Sequence, residues 1–505
     1  MSPLFTLAIL AMFMAAGVAR SSRRQPTIGW SQAAWATLAL GIVGVAVPSD
    51  AAQAAAVAVA GLGLLAPGIG FALARRAAGR GRYGRAARIA GMLAALRRSP
   101  QMRRWHAAWS AVDAFYAGDA GPVERLRDHL RAEGDPSAEL LVAWLAMATR
   151  AWPDLLHSPA IDAQSRALCE LGEVDRGIEL AGRSLGRRLS WNSLKTARYL
   201  WLAPLAFAGR VPGLLALCRL LRLDRDSTTL WHATGLAAAG ESAAATRALD
   251  GLLARTDLPA PLRAAAWQRR AALPGPRPLG VSARDILASA ELEVQAGLSL
   301  RGRPWWREPA TLLILAGVAV GFALQIERGG SLNPFAAWSL GALRGGTWPT
   351  DPVRLFAYGF LHFGVMHLAV NALVIAVLAP MVASALGTIG LAIVYGGAVV
   401  GGGVGIALVG SDGLTVGASG GAMGLLGAVL VILWRHPALR GTATGEAGRR
   451  FALGIVLIQA VFDGVMAEVS FAGHAAGLVS GALLALAWLL VGRVGSRPVP
   501  RPALG

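Results

Sequence analysis

Apolar segments of bilayer length, punctuated by arginine, dominate this 505-residue chain. A helix needs ~20 predominantly apolar residues to cross a hydrocarbon layer ~30 Å thick. Three runs that reach or approach this length lie near the start, at residues 4–18, 28–47 and 54–74. Six more follow at 311–326, 362–378, 388–409, 419–433, 451–465 and 471–491. In lipid every backbone N–H and C=O must be satisfied internally, which leaves helices for runs of this kind. Hydrophobic residues make up 55% of the chain and mean hydropathy is +0.51. An ordinary soluble protein is excluded. The expected fold class is all-α and polytopic, with a soluble helical region between two blocks of spans.

The formal net charge is +19, carried almost wholly by arginine; Lys195 is the only lysine. No nucleic-acid-binding motif accompanies the charge, so no nucleic-acid partner is expected. The arginines instead flank the apolar runs, as the positive-inside rule requires. Arg75 and Arg76 follow the third run; Arg301, Arg303 and Arg307 precede the fourth. Arg435, Arg440, Arg449 and Arg450 fill one later loop, and Arg493, Arg497 and Arg501 mark the tail. Alternating spans put all of these on the cytoplasmic side, with the N-terminus outside and nine spans in total. The two blocks, counted separately, agree. A bacterial cytoplasmic membrane is the expected location. Residues 4–18 lack a preceding charge, which fits an uncleaved anchor, although AAGVA at 15–19 could serve as a cleavage site. Cys169 and Cys218 have no metal-ligand spacing and read as small core residues.

Residues 77–104 are basic and free of acids. Ile89, Met92, Leu93 and Leu96 share one helical face. An amphipathic helix on the anionic leaflet fits, as does a charged flank leading into a soluble helix. Residues 105–300 hold no bilayer-length run. Segments 167–181, 205–217 and 236–249 each read as helix, Gly-centred turn, helix. Their glycines, Gly172, Gly209 and Gly240, lie 37 and 31 residues apart, bracketing a 34-residue repeat period. The layout resembles tetratricopeptide repeats; a generic helical bundle is the alternative. Either would serve a protein partner, and neither suggests catalysis. Pro274-Gly275-Pro276-Arg277-Pro278 reads as a linker. The expected organisation is three spans within 1–76, a basic segment at 77–104, helical repeats at 105–300, a membrane domain at 309–492 and a basic tail at 493–505.

Three stretches of the second block carry polar groups at membrane depth, where such groups are costly and mark function. They are HFGVMHLAVN (362–371), VGASGGAMG (416–424) and FAGHAAGLVSG (471–481). With the topology above, Ser419, His474, His367 and Asn371 all enter from the outer side. A serine hydroxyl needs a base to become a nucleophile, and His474 is the histidine placed to act. Asp463 is the nearest acid but reads as a solvated residue near a span end, so a Ser–His pair is expected. Gly473, Gly477 and Gly481 form one small-residue ridge; Gly420, Gly424 and Ala428 form another. Such ridges let membrane helices touch backbone to backbone. Gly417 and Gly420 leave the serine uncrowded, at a helix N-terminus whose free N–H groups suit an oxyanion. His367 and Asn371, four apart, share a face and both can donate to one oxygen. His362 projects elsewhere and is expected to brace the loop. No H-E-x-x-H occurs and no paired intramembrane aspartates occur, so metal and aspartyl protease chemistry are not indicated.

The segment from about Pro309 to Val491 resembles the rhomboid intramembrane serine proteases. Their pattern of His-x4-His-x3-Asn, Gly-x-Ser-Gly and His-x2-Gly stands here in order. It is carried by His362, His367 and Asn371, by Gly417, Ser419 and Gly420, and by His474 and Gly477. The resemblance implies a six-helix core in which Ser419 attacks and His474 is the general base. It implies that the Ser419 amide, His367 and Asn371 hold the oxyanion. It implies transmembrane protein substrates, a lipid setting and no cofactor or metal. Arg354 resembles the arginine of the family's loop Trp-Arg pair, but Val353 replaces the tryptophan. Met423 stands where an aromatic residue is frequent. The alternative is a rhomboid-like protein without catalysis that binds client helices and uses the repeats as an adaptor.

Overall fold

The computed structural model describes residues 66–97, 100–183, 198–347, 349–409, 413–465 and 470–495, with isolated positions between 36 and 61. The run at 4–18, most of 28–47, part of 54–74, Asp412, Glu468 and tail residues 496–505 lie outside the described residues. Among the described residues all regular secondary structure is helical, apart from one isolated β-bridge between Leu343 and Thr415. Contacts divide the chain after Glu291 into two units.

In the first unit, helix Ala66–Ala78 continues through Arg75 and Arg76. Its Phe71 and Ala74 share a core with Ala86, Ala90 and Leu93 of helix Tyr83–Arg97 and with Trp109 of helix Pro100–Tyr116. The buried stripe of Tyr83–Arg97 is Ala86, Ala87, Ala90, Leu93 and Ala94, while Met92 is 67% exposed. Ile89 packs partly buried against the same core, so of Ile89, Met92 and Leu93 it is Met92 that turns outward. Alanines admit a close helix neighbour and let Trp105 and Trp109 fill the remaining space. Further along, helices Ile161–Glu170 and Val174–Gly182, Leu202–Phe207 and Val211–Leu221, and Arg225–Ala238 and Ser242–Leu253 form successive pairs. Gly172, Gly209 and Gly240 turn each pair at φ of +92°, +66° and +94°, a left-handed conformation that favours glycine. Both cysteines are buried, and burial pushes the Cys218 thiol up to about 11.

The second unit holds helices Pro309–Glu327, Val365–Val409, Ser419–Arg435, Ala443–Val465 and Phe471–Gly495. Pro309–Glu327, Val365–Val409 and Phe471–Val491 are long and apolar enough to cross a membrane, which fits a multi-pass membrane protein. At 1.5 Å per residue the 45-residue element would extend ~68 Å, over twice a hydrocarbon layer. Gly387, at φ +77° and ψ 171°, breaks it into residues 365–386 and 388–409, each about one span long. Helix Ala443–Val465 is capped from a distance. The Glu293 carboxylate accepts from the Ala443 N–H, the Thr444 N–H (3.1 Å) and the Thr444 hydroxyl (2.9 Å). These are donors that a helix start leaves without carbonyl partners.

Glycine ridges bring the serine and histidine helices into contact. A Cβ added at Gly477 would lie 2.3 Å from the Gly420 carbonyl oxygen, and one at Gly481 2.1 Å from that of Gly424. One at Gly427 would lie 2.1 Å from the Leu478 carbonyl oxygen. The obstacles are backbone atoms, which cannot step aside as a side chain does. Gly477→Ala is expected to cost about 1–3 kcal/mol through overpacking. A lowered midpoint of unfolding in detergent would report it, and an unchanged midpoint would contradict the close packing.

Candidate active site

The serine helix begins at Ser419. Its first internal backbone bond runs from the Ala422 N–H to the Ala418 carbonyl (2.9 Å). The N–H groups of Ser419, Gly420 and Gly421 therefore lie at the positive end of the helix, without helical acceptors. The loop leading in is fixed at two points. The Gly417 N–H donates to the Tyr358 carbonyl at 3.0 Å, and the Ala418 N–H donates to His362 Nε2 at 3.3 Å. Gly417 has φ +139°. A Cβ there would lie 3.0 Å from His367 Nε2 and 3.6 Å from Ser419 Oγ. The glycine thus keeps open the space shared by the hydroxyl and the His367 imidazole. Gly420 is buried between the neighbouring helices, its added Cβ lying 2.9 Å from the Tyr358 hydroxyl and 3.7 Å from the Gly473 carbonyl. Tyr358 itself donates its hydroxyl to the Val399 carbonyl at 3.0 Å, a support the sequence did not single out.

His362 is fully buried. Its backbone N–H donates to Gln325 Oε1 at 2.7 Å, and its ring meets that of His367 edge-on, with centroids 5.0 Å apart. The structure thus places it behind the serine loop, as a brace. Asn371 is buried at 6% exposure, and its Nδ2 donates to the His367 carbonyl at 3.0 Å. One of its two amide hydrogens is therefore used within its own helix, which leaves one for the site.

His474 corrects the sequence reading of Asp463. The acid is not a solvated loop residue. It lies within helix Ala443–Val465 at 8% exposure, and its Oδ2 is 2.8 Å from His474 Nδ1. Gln459, one turn earlier, donates its Nε2 to Asp463 Oδ1 at 2.6 Å. Gln459 Nε2 is also 3.3 Å from His474 Nδ1, but an amide N–H and a ring N–H cannot donate to each other. With an ionised acid at 2.8 Å, Nδ1 carries the ring proton and Nε2 keeps its lone pair. The acid was illegible because its contact depends on how two helices are rotated, and no local pattern encodes that. Ser419 Oγ, half-buried, makes no hydrogen bond to a described residue. The helices carrying Ser419 and His474 nonetheless touch one turn along, at Gly420 and Gly477.

Arg354 pins the loop between the first two spans of this unit. It donates to the carbonyls of Trp338 and Ala342, both at 2.9 Å. It pairs with Asp351 at 2.8 Å and lies 3.8 Å over the Trp338 ring. Val353 offers no ring to Arg354, and the indole it meets is that of Trp338, 16 residues before the arginine. Met423 packs against the main apolar core.

Residues 349–492 match the family model of the Rhomboid domain. The matched segment contains Arg354, His362, His367, Asn371, Gly417, Ser419, Gly420, Met423, Asp463, His474 and Gly477. Helix Pro309–Glu327 precedes the rhomboid match, yet its Gln325 holds the backbone of His362. A search of the curated proteins found no match, and a search of the solved structures found none. The tetratricopeptide resemblance of the helical unit rests on its sequence layout alone.

Proposed function

We propose that this protein is an intramembrane serine endopeptidase that cuts transmembrane segments of other membrane proteins. One observation carries the reading. A serine at a helix N-terminus shares its space with His367, on a helix packed against the one bearing His474, whose tautomer is set by Asp463. Ser419 Oγ attacks the scissile carbonyl carbon while its proton passes to His474 Nε2. The resulting oxyanion is received by the Ser419 N–H, with His367 and Asn371 as side-chain donors. Collapse breaks the C–N bond, and His474 returns the proton to the leaving amine. Water, activated by the same imidazole, then releases the acyl group from Ser419. The Ser–His contact commonly tightens only when substrate is bound. No metal or cofactor enters this scheme. The expected setting is a bacterial cytoplasmic membrane, with the helical unit on the cytoplasmic side and free to engage a protein partner.

The second reading is a client-binding protein without catalysis, and it is favoured by the absence of a hydrogen bond from Ser419 Oγ to any described residue. A fluorophosphonate probe decides between the two. Membranes bearing the wild-type protein should be labelled, with the adduct on Ser419 by mass spectrometry, and Ser419→Ala should abolish labelling. Absence of labelling in both, combined with no cleavage of a model transmembrane substrate, would favour client binding.

A further inference from the structure

The helical unit contains an uncommitted arginine. Arg166 lies with its guanidinium carbon 5.1 Å from the ring centres of both Trp152 and Trp231. Cation–π contacts hold it by its faces, which leaves its N–H edge for other partners. It makes no hydrogen bond to a described residue, and its nearest carboxylate oxygen, on Glu170, is 3.8 Å away. Glu170 is already taken, accepting from Arg269 Nη2 at 2.6 Å. The Nε of Arg269 is likewise buried and without a partner.

These groups line a cavity of about 180 Å³ together with Arg150. Three guanidinium groups thus face it against one carboxylate, which leaves two positive charges unmatched. Burial lowers the affinity of Arg166 for its proton and Arg269 lowers it further, with Glu170 opposing. Arg150 adds a backbone observation. It caps helix Pro136–Thr149 at φ +62° and ψ +30°, a left-handed position where glycine is preferred and other residues are strained. Its side chain reaches Gln268 on the cavity wall. Arg150, Arg166 and Arg269 are half-buried, and a partly desolvated cation without a matched anion carries a cost that a bound anion would remove. A planar guanidinium fork matches carboxylate and phosphate oxygens bidentately.

We propose that this cavity binds a small doubly charged oxyanion, presented as a phosphate monoester or a dicarboxylate, with Arg166 as the central donor between its two indoles. The cavity is too small for a folded partner, and the residual charge selects a dianion over a monoanion.

The test is calorimetric titration of the full-length protein in detergent, at fixed ionic strength, with inorganic phosphate, succinate and acetate as probes. Saturable binding of phosphate or succinate, at least tenfold tighter than acetate, is expected; which of the two binds better identifies the source. Arg166→Gln should weaken that binding at least tenfold. Should that variant misfold, Arg150→Gly decides, since glycine relieves the backbone while removing one cation. It should keep the helical circular dichroism of the wild type and bind at least fivefold more weakly. No saturable binding of either dianion up to about 10 mM, where even a millimolar site is filled, would overturn the proposal. So would wild-type affinity in a folded Arg150→Gly protein.

Discussion

Ser419→Ala should lower cleavage of a reconstituted transmembrane substrate by about 10⁴- to 10⁶-fold, and His474→Ala by a similar factor. The double variant should be no worse than either single one. Hydroxyl and imidazole act on one proton, so removing the second partner takes away nothing that still functions. His367→Ala should cost less, about 10²- to 10³-fold, as expected for one donor to a developing oxyanion. That ordering is the check. Ser419 is half-buried at a helix start and outside the main apolar core, so its alanine variant should unfold with the wild-type midpoint. Additive losses in the double variant would mean that the two residues act separately. Full retention of cleavage in Ser419→Ala would remove the serine mechanism altogether.

The parts of this arrangement that were legible in the sequence share one property: their signal is local. Gly473, Gly477 and Gly481 fall one turn apart on a single helix, as do Gly420, Gly424 and Ala428, so the ridge is visible before any fold is known. The motifs around His367, Ser419 and His474 are likewise short. The break at Gly387 was visible as the gap between two apolar runs. What was not legible depends on rotation and on distant partners. Asp463 and His474 are 11 residues apart but sit on different helices, and hydropathy alone makes a polar residue near a span end look solvated. Trp338 lies under Arg354 because the intervening chain folds back, so a search for an adjacent tryptophan finds only Val353. The stripe of Ile89, Met92 and Leu93 showed only part of the packing face, since Met92 turns outward and alanines fill the contact. Alanine ranks low as a core signal, yet Ala86, Ala90 and Ala94 are the residues that permit close packing. The arginine cavity draws on positions from Arg150 to Arg269, a span no motif covers.

Asp463→Asn should cost about 10²- to 10⁴-fold in kcat, with KM nearly unchanged. The substitution preserves size, so it tests the tautomer rather than the packing. An ionised carboxylate at Nδ1 only accepts, which keeps the ring proton there and leaves Nε2 ready to take the serine proton. An asparagine can turn its amide nitrogen toward Nδ1 and donate. The ring proton then moves to Nε2, and the base is lost while every heavy atom stays in place. Gln459 sharpens the test. Its Nε2 is held on Asp463 Oδ1 at 2.6 Å yet lies only 3.3 Å from Nδ1. In Asp463→Ala that amide is released and becomes the donor to Nδ1, imposing the same wrong tautomer. Adding Gln459→Leu to Asp463→Ala should therefore restore part of the lost rate, a second substitution that helps. Probe labelling of Ser419 should follow the same order: wild type fastest, then the double variant, then Asp463→Ala and Asp463→Asn. A purely structural role for the acid predicts the opposite, since removing two hydrogen-bonded polar groups from one helix should damage the site more than removing one.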